Sequence, residues 1–226
     1  MKNQKRGDNM SKNINSAVFK TLSVVFILLT FTLNVFPKLI ANYSEVTFQD
    51  QEKSQVRMAV MEAAGDFLKS QSDVLLLLNK IELEEIYGVQ FSELRDLLSN
   101  AIAKMENTKI KYAELVNISA TAPYNQTIID KLRDFDYTTF QKTNRLNSVV
   151  NRQVQEYLSA GNVHGIYTTL LANTEGILDK LIVIQAALDA DTIPANADLW
   201  RLNQSYAETL LFGQYTAEVF YQIAGK

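Results

Sequence analysis

Apolar side chains recur every three or four residues along most of the chain after residue 46. This is the period of a helix that buries one face. The pattern predicts five helical segments, over residues 47–80, 92–119, 126–160, 163–188 and 196–224. No stretch alternates apolar and polar residues for long enough to predict a sheet.

Turn signals separate these segments. Gly88 follows the first, Pro123 ends the second because the residue before a proline avoids helix, and Gly161 with Asn162 ends the third. The connections are short, which forces neighbouring helices to run antiparallel. The sequence therefore predicts an all-α, up-down antiparallel bundle of four to five long helices, in a single domain over residues 42–226.

The third segment is the least regular. Its apolar residues Leu132, Phe135 and Phe140 do not share one stripe, whereas Val150 and Val154 fall on a clearer one. Asp, Tyr and Thr are mediocre helix formers. We expect a kink or a short break near residues 134–139.

The N-terminus has the order of a signal peptide, with a basic stretch over residues 1–20 followed by an apolar run over residues 21–36. Pro37 ends that run, and cleavage after Ala41 would leave Asn42 first. Two alternatives stay open, a cleaved signal peptide over residues 1–41 or an uncleaved anchor that crosses the membrane through residues 17–36. Met10 is an alternative start. Both alternatives place residues 42–226 outside the cytosol, in a bacterial periplasm or secreted.

Composition removes several classes of protein. The chain has no Cys, which excludes disulfides, thiolate zinc sites, iron–sulfur clusters and a lipoprotein anchor. Residues 42–226 carry 16 basic and 24 acidic side chains, a net charge of −8. Because nucleic acid is a polyanion, this charge disfavours nucleic-acid binding.

The usual catalytic residues are scarce. The single His, His164, has Gly161 three residues before it, so no Glu-x-x-His metal motif exists. No Gly-x-Ser-x-Gly or phosphate-binding loop occurs either. We expect His164 to be a solvent-exposed residue of a loop or first helical turn, and the chain to use no metal or cofactor.

Three groups of carboxylates offer the remaining routes to chemistry. They are Glu82, Glu84 and Glu85; Asp134 and Asp136; and Asp189 and Asp191. Each could bind a cation or act as acid and base, but none has the spacing of a calcium loop. We expect solvated charge at helix ends.

The last segment is aromatic on more than one side. A partner or ligand face is predicted there, made of Trp200, Tyr206, Phe212, Tyr215 and Tyr221. Tyr and Trp favour interfaces and pockets, and the alternative is ordinary core packing.

Small or polar residues interrupt otherwise apolar stripes at Thr108, Thr174 and Gly213. They either line a cavity between helices or permit close helix approach. Within residues 42–226, four Asn-x-Ser/Thr sequons matter only if the source glycosylates exported proteins: Asn42, Asn117, Asn125 and Asn203.

The leading functional hypothesis is a non-enzymatic, exported bundle that binds another envelope protein, or itself as a homodimer through its heptad-spaced helices. The alternative is a small-ligand sensing module. The layout over residues 47–224 loosely resembles the periplasmic four-helix bundles of bacterial chemoreceptors and sensor kinases, in architecture and without a shared motif. A sensor of this length would pass its signal through a separate protein. An enzyme with an unrecognised site is the third hypothesis.

Overall fold

The computed structural model describes residues 47–88, 90–144 and 148–224, with the backbone alone described at 84–87, 143–144, 148–149 and 151. Within these ranges the protein is nearly all helical, with seven helices and no strand. The helices are α1 (Asp50–Tyr87), α2 (Phe91–Thr121), α3 (Gln126–Arg133), α4 (Tyr137–Asn144), α5 (Ser148–Ser159), α6 (Val163–Asp189) and α7 (Asn196–Ala224). The predicted signal peptide or anchor lies outside the described residues.

Helices α1 and α2 form an antiparallel pair. The Lys111 ammonium lies 2.7 Å from the Glu62 carboxylate, and nearer the other end Lys80 pairs with Glu93. Residue numbers thus rise along α1 as they fall along α2. The short connection after Tyr87 allows no other orientation.

Helix α6 packs antiparallel on the other side of α2. The Arg95 guanidinium donates to the Leu188 carbonyl at 2.6 Å at one end, and Ser119 meets His164 at the other. Helix α7 then returns beside α6. Four long helices therefore run up and down, and none formed by the described residues is long and apolar enough to cross a membrane.

The third predicted segment is a chain of three short helices. Helix α3 ends at Arg133 and α4 begins at Tyr137, so the break expected near residues 134–139 is confirmed. Asp136 starts α4 by accepting a hydrogen bond from the Thr139 backbone N–H at 3.0 Å. This segment does not supply a fifth long helix.

The boundaries of α6 and α7 agree closely with the predicted ones, whereas α1 extends seven residues further than expected. Its apolar stripe continues through the buried Ile81, and the helix ends only before Gly88, whose φ is 103°. A left-handed glycine is the common end of a helix.

Gly161 and Asn162 form the corner between α5 and α6. Gly161 has φ 67°, and the N–H groups of Gly161 and Asn162 donate to Leu158 and Tyr157 carbonyls at 2.9 and 2.8 Å. This is a Schellman end for α5. The Asn162 side chain then caps α6 by accepting from the Gly165 N–H at 2.8 Å.

The core consists of two hydrophobic clusters, one toward each end of the bundle. The first joins α3, α4 and α5 to the long helices and includes Phe48, which precedes α1. The Phe48 ring packs at a tilt against the Tyr124 ring with centroids 5.2 Å apart, and the two residues form an isolated antiparallel bridge. The second cluster lies among the four long helices alone.

Candidate functional site

The structure divides the predicted aromatic face of α7 into two kinds of residue. Tyr206, Phe212 and Tyr215 are fully buried, at 0–1% exposure, whereas Trp200 and Tyr221 are 64% and 51% exposed. At about 1.5 Å of rise per residue, the two exposed side chains lie roughly 30 Å apart along the helix. The five residues are therefore not one continuous surface.

Tyr215 is buried because α4 covers a second side of α7. The Phe140 ring meets the Tyr215 ring edge-on at 5.0 Å between centroids. Burial raises the pKa of the Tyr215 hydroxyl, an effect that the nearby Gln141 side chain partly opposes, although no group of the described residues lies in close hydrogen-bond geometry with that hydroxyl. The residue pattern of α7 alone does not indicate that a second helix packs on this side of it.

Tyr206 belongs to a buried hydroxyl relay that joins three long helices. Ser70 on α1 donates to the Ala101 carbonyl on α2 at 2.7 Å. The Tyr206 hydroxyl lies 2.6 Å from the Ser70 oxygen, and since the serine proton is committed to the carbonyl, Tyr206 is the donor. Burial raises the pKa of Tyr206. The Tyr206 phenol is therefore neutral, and the relay has the structural role of joining the three helices.

His164 makes a contact that sequence reasoning did not anticipate. It lies in the first turn of α6, as expected, but it is half-buried rather than solvent-exposed, with Nδ1 3.0 Å from the Ser119 hydroxyl oxygen. A Ser–His pair at this distance is the core of a nucleophilic site. Here the Ser119 hydroxyl also lies 3.0 Å from the Val116 carbonyl of its own helix, and its contact with His164 holds α6 against α2.

The two carboxylates at the end of α6, Asp189 and Asp191, are paired with a cationic side chain of the protein itself. Arg95 pairs with Asp189 at 3.6 Å and with Asp191, and its guanidinium also donates to the Leu188 carbonyl. Asp191 adopts φ 50° at this helix end. These carboxylates therefore fasten the α6–α7 connection to α2.

Asp134 and Asp136 line a groove of about 660 Å³ that opens to solvent. The half-buried Phe135 also lines it, and Lys131 donates to the Ile223 carbonyl at 3.5 Å. The hydrogen bond from the Thr139 backbone lowers the pKa of Asp136. Within the described side chains, no three His, Asp or Glu residues converge on a possible metal position; those of Glu84 and Glu85 lie outside that set.

An apolar cavity lies between α1, α2, α6 and α7. Its volume is about 30 Å³, and its walls include Val60, Tyr112, Ile166, Tyr167, Gly213 and Phe220. Thr216 also borders it but donates its hydroxyl to the Phe212 carbonyl at 2.9 Å, which leaves its methyl group for the wall. The lining is therefore almost wholly carbon.

Gly213 decides between the two roles predicted for the small residues. A Cβ atom built on Gly213 would meet no heavy atom of a neighbouring element within 4 Å. Gly213 is partly exposed, borders the cavity and does not serve close helix approach. Thr108 and Thr174 instead donate to carbonyls of their own helices, Lys104 at 3.0 Å and Leu170 at 2.8 Å.

No protein-family model, curated protein or solved structure matches this chain. Function is therefore inferred from the chain's own residues.

Proposed function

We propose that the protein is an exported, non-enzymatic helical bundle that acts as an interaction or envelope-assembly module. The observation that carries this proposal is Trp200, which is 64% exposed in the first turns of α7. Tryptophan has a large apolar ring system and is enriched among the residues that dominate binding energy in protein interfaces. Trp200 is the anchor of the proposed contact.

Two further observations support an interaction role over chemistry. The Ser119 hydroxyl bonds to a carbonyl of its own helix and to His164, and the Asp189 and Asp191 carboxylates are paired with Arg95. These side chains thus take part in contacts that hold α6 and its connection to α7 against α2. The net charge of −8 over residues 42–226 favours a neutral or basic protein surface as partner and disfavours nucleic acid.

Photo-crosslinking from position 200 tests the contact. A benzophenone amino acid replaces Trp200 in the full chain, expressed in cells of the source organism. The matched control carries the same group at Met58, which is 59% exposed on α1. We expect one adduct of fixed mass from position 200 and none from position 58, with an adduct of twice the chain mass indicating a homodimer.

An absent adduct at position 200, or the same set of adducts from both positions, would contradict the proposal. Trp200→Ala separates contact from stability, because replacing an exposed side chain changes the free energy of unfolding by only about 0.5 kcal/mol or less.

The same cells supply the test of export. An intact mass that begins near Asn42 supports a cleaved signal peptide, and a full-length chain in the membrane fraction supports an anchor.

The sensing module remains the second candidate function, and the cavity beside Gly213 is the observation that favours it. Ligand sites in helical bundles lie between helices, as this cavity does. Its volume of about 30 Å³ limits what it can hold, however.

A further inference from the structure

We propose that the cavity beside Gly213 is a binding site for a small apolar molecule of diatomic-gas size. The proposal is independent of the contact at Trp200. It rests on the cavity's size, on the chemistry of its wall and on the position of Gly213.

The size sets the upper limit. A cavity needs at least about 10–15 Å³ to hold one water-sized guest, so a volume of about 30 Å³ has room for roughly two. A molecule of two atoms fits, whereas a sugar, an amino acid or an aromatic ring does not.

The wall sets the polarity. Val60, Ile166 and Phe220 are all buried to within 3% of full burial and present carbon atoms only. Apolar cavities of this kind stay dry and admit apolar guests, because a water molecule needs two or more polar partners. The rings of Tyr112, Tyr167 and Phe220 add polarizable surface that favours dispersion attraction to such a guest.

Gly213 keeps the space open. A glycine in a helix interior is less favourable than alanine, and here an added methyl group would meet no neighbouring side chain within 4 Å. Packing does not require glycine at this position, which borders the cavity, and alanine would place a methyl group at that border.

The experiment uses xenon as the probe. The full chain is labelled at its Ile, Leu and Val methyl groups, and NMR spectra are recorded under increasing xenon pressure. We expect saturable shifts of Val60, Val163, Ile166 and Leu170, which border the cavity, and little change at Ile177 and Leu181 in the other cluster.

Gly213→Ala is the variant, and Gly65→Ala is its matched control. Gly65 is also inside a long helix and an added Cβ there would also meet nothing within 4 Å, but it borders an outer groove with Lys69 and Lys111. We expect the xenon-induced shifts to fall by about threefold or more in Gly213→Ala, since a methyl group occupies much of the free space, and to persist in Gly65→Ala.

Two results would overturn the proposal. One is the absence of saturable shifts at the cavity methyl groups of the unaltered chain. The other is equal xenon response in Gly213→Ala and the unaltered chain, which would place the guest elsewhere.

Discussion

At the scale of single residues, two consecutive hydrogen bonds among Tyr206, Ser70 and Ala101 join three helices. Tyr206 donates to Ser70, and Ser70 donates to the carbonyl of Ala101. The two hydroxyl groups therefore have unequal roles. Removing the Ser70 hydroxyl leaves the Tyr206 hydroxyl without its acceptor, whereas removing the Tyr206 hydroxyl leaves Ser70 bonded to the Ala101 carbonyl.

This asymmetry gives a mutational prediction. Tyr206→Phe should cost about 1 kcal/mol of unfolding free energy, the net value of one hydrogen bond. Ser70→Ala should cost more than Tyr206→Phe, up to about 3 kcal/mol, because a buried hydroxyl donor loses its acceptor. Urea unfolding followed by circular dichroism measures both. Equal costs, or a larger cost for Tyr206→Phe, would show that the proton order is reversed.

Buried tyrosines also set the behaviour of the protein in alkali. Burial raises the pKa of Tyr112, Tyr137 and Tyr206 in the folded state above the ordinary value of 10.0. The folded state thus holds these protons more tightly than the unfolded state. Their contribution is fully present below about pH 10 and is lost as the pH rises from there toward the folded pKa values.

We therefore expect the urea midpoint to fall as the pH is raised above about 10, with tyrosinate absorbance appearing together with unfolding. The control is Tyr206→Phe, in which one of the buried tyrosines with a raised pKa is missing and the fall with pH should be shallower. A midpoint independent of pH between 9 and about 11.5 would contradict the raised pKa values.

At the scale of helices, the corner between α5 and α6 depends on Gly161. Its φ of 67° is unfavourable for any residue with a side chain, and an added Cβ would lie 2.7 Å from the Ile129 Cγ2 atom. Gly161→Ala should therefore destabilise the fold by about 1–2 kcal/mol from the backbone alone, and by more if Ile129 cannot move. The measurement is again the free energy of unfolding in urea.

Gly176→Ala is the matched control, with an effect of opposite sign. Gly176 lies inside α6, and an added Cβ would make only an ordinary contact, 3.8 Å from Lys180 Nζ. We expect a gain of up to about 1 kcal/mol from helix propensity. Equal effects of the two substitutions would mean that the left-handed turn is not required.

Local sequence determines how much of the helical pattern was predictable. The ends of α6 and α7 were predicted to within one residue because Asn162, Gly161 and the loop before Asn196 mark them chemically. The division of the third segment was predicted only as a break, since its three helices are each too short for a periodic pattern to define.

The aromatic residues of α7 were harder to place, for a reason outside that helix. Tyr215 falls off the inner stripe of α7, and α4 packs against it through Phe140. Trp200 and Tyr221, which no other helix covers to that extent, remain half or more exposed. Sequence periodicity identifies the face toward one neighbour and carries no information on a second neighbour that arrives from elsewhere in the chain.

At the scale of the whole molecule, the bundle is held by packing and by bonds between helices. The chain has no Cys, so no disulfide contributes. The two hydrophobic clusters supply the burial, while Arg95, His164 and the Tyr206 relay fix the helices in register. The contacts of each of these three groups connect two or more of the long helices.

The void beside Gly213 gives this fold a mechanical property. Unfolding fills internal free space with solvent, so the unfolded state occupies less volume and hydrostatic pressure favours it. Filling the void in Gly213→Ala should make the volume change of unfolding less negative by about 10–20 mL/mol, while Gly65→Ala, on an open groove, should leave it unchanged. High-pressure fluorescence of Trp200 would record the unfolding of each variant. In the folded state, the unaltered chain should be more compressible than Gly213→Ala at the α6–α7 side.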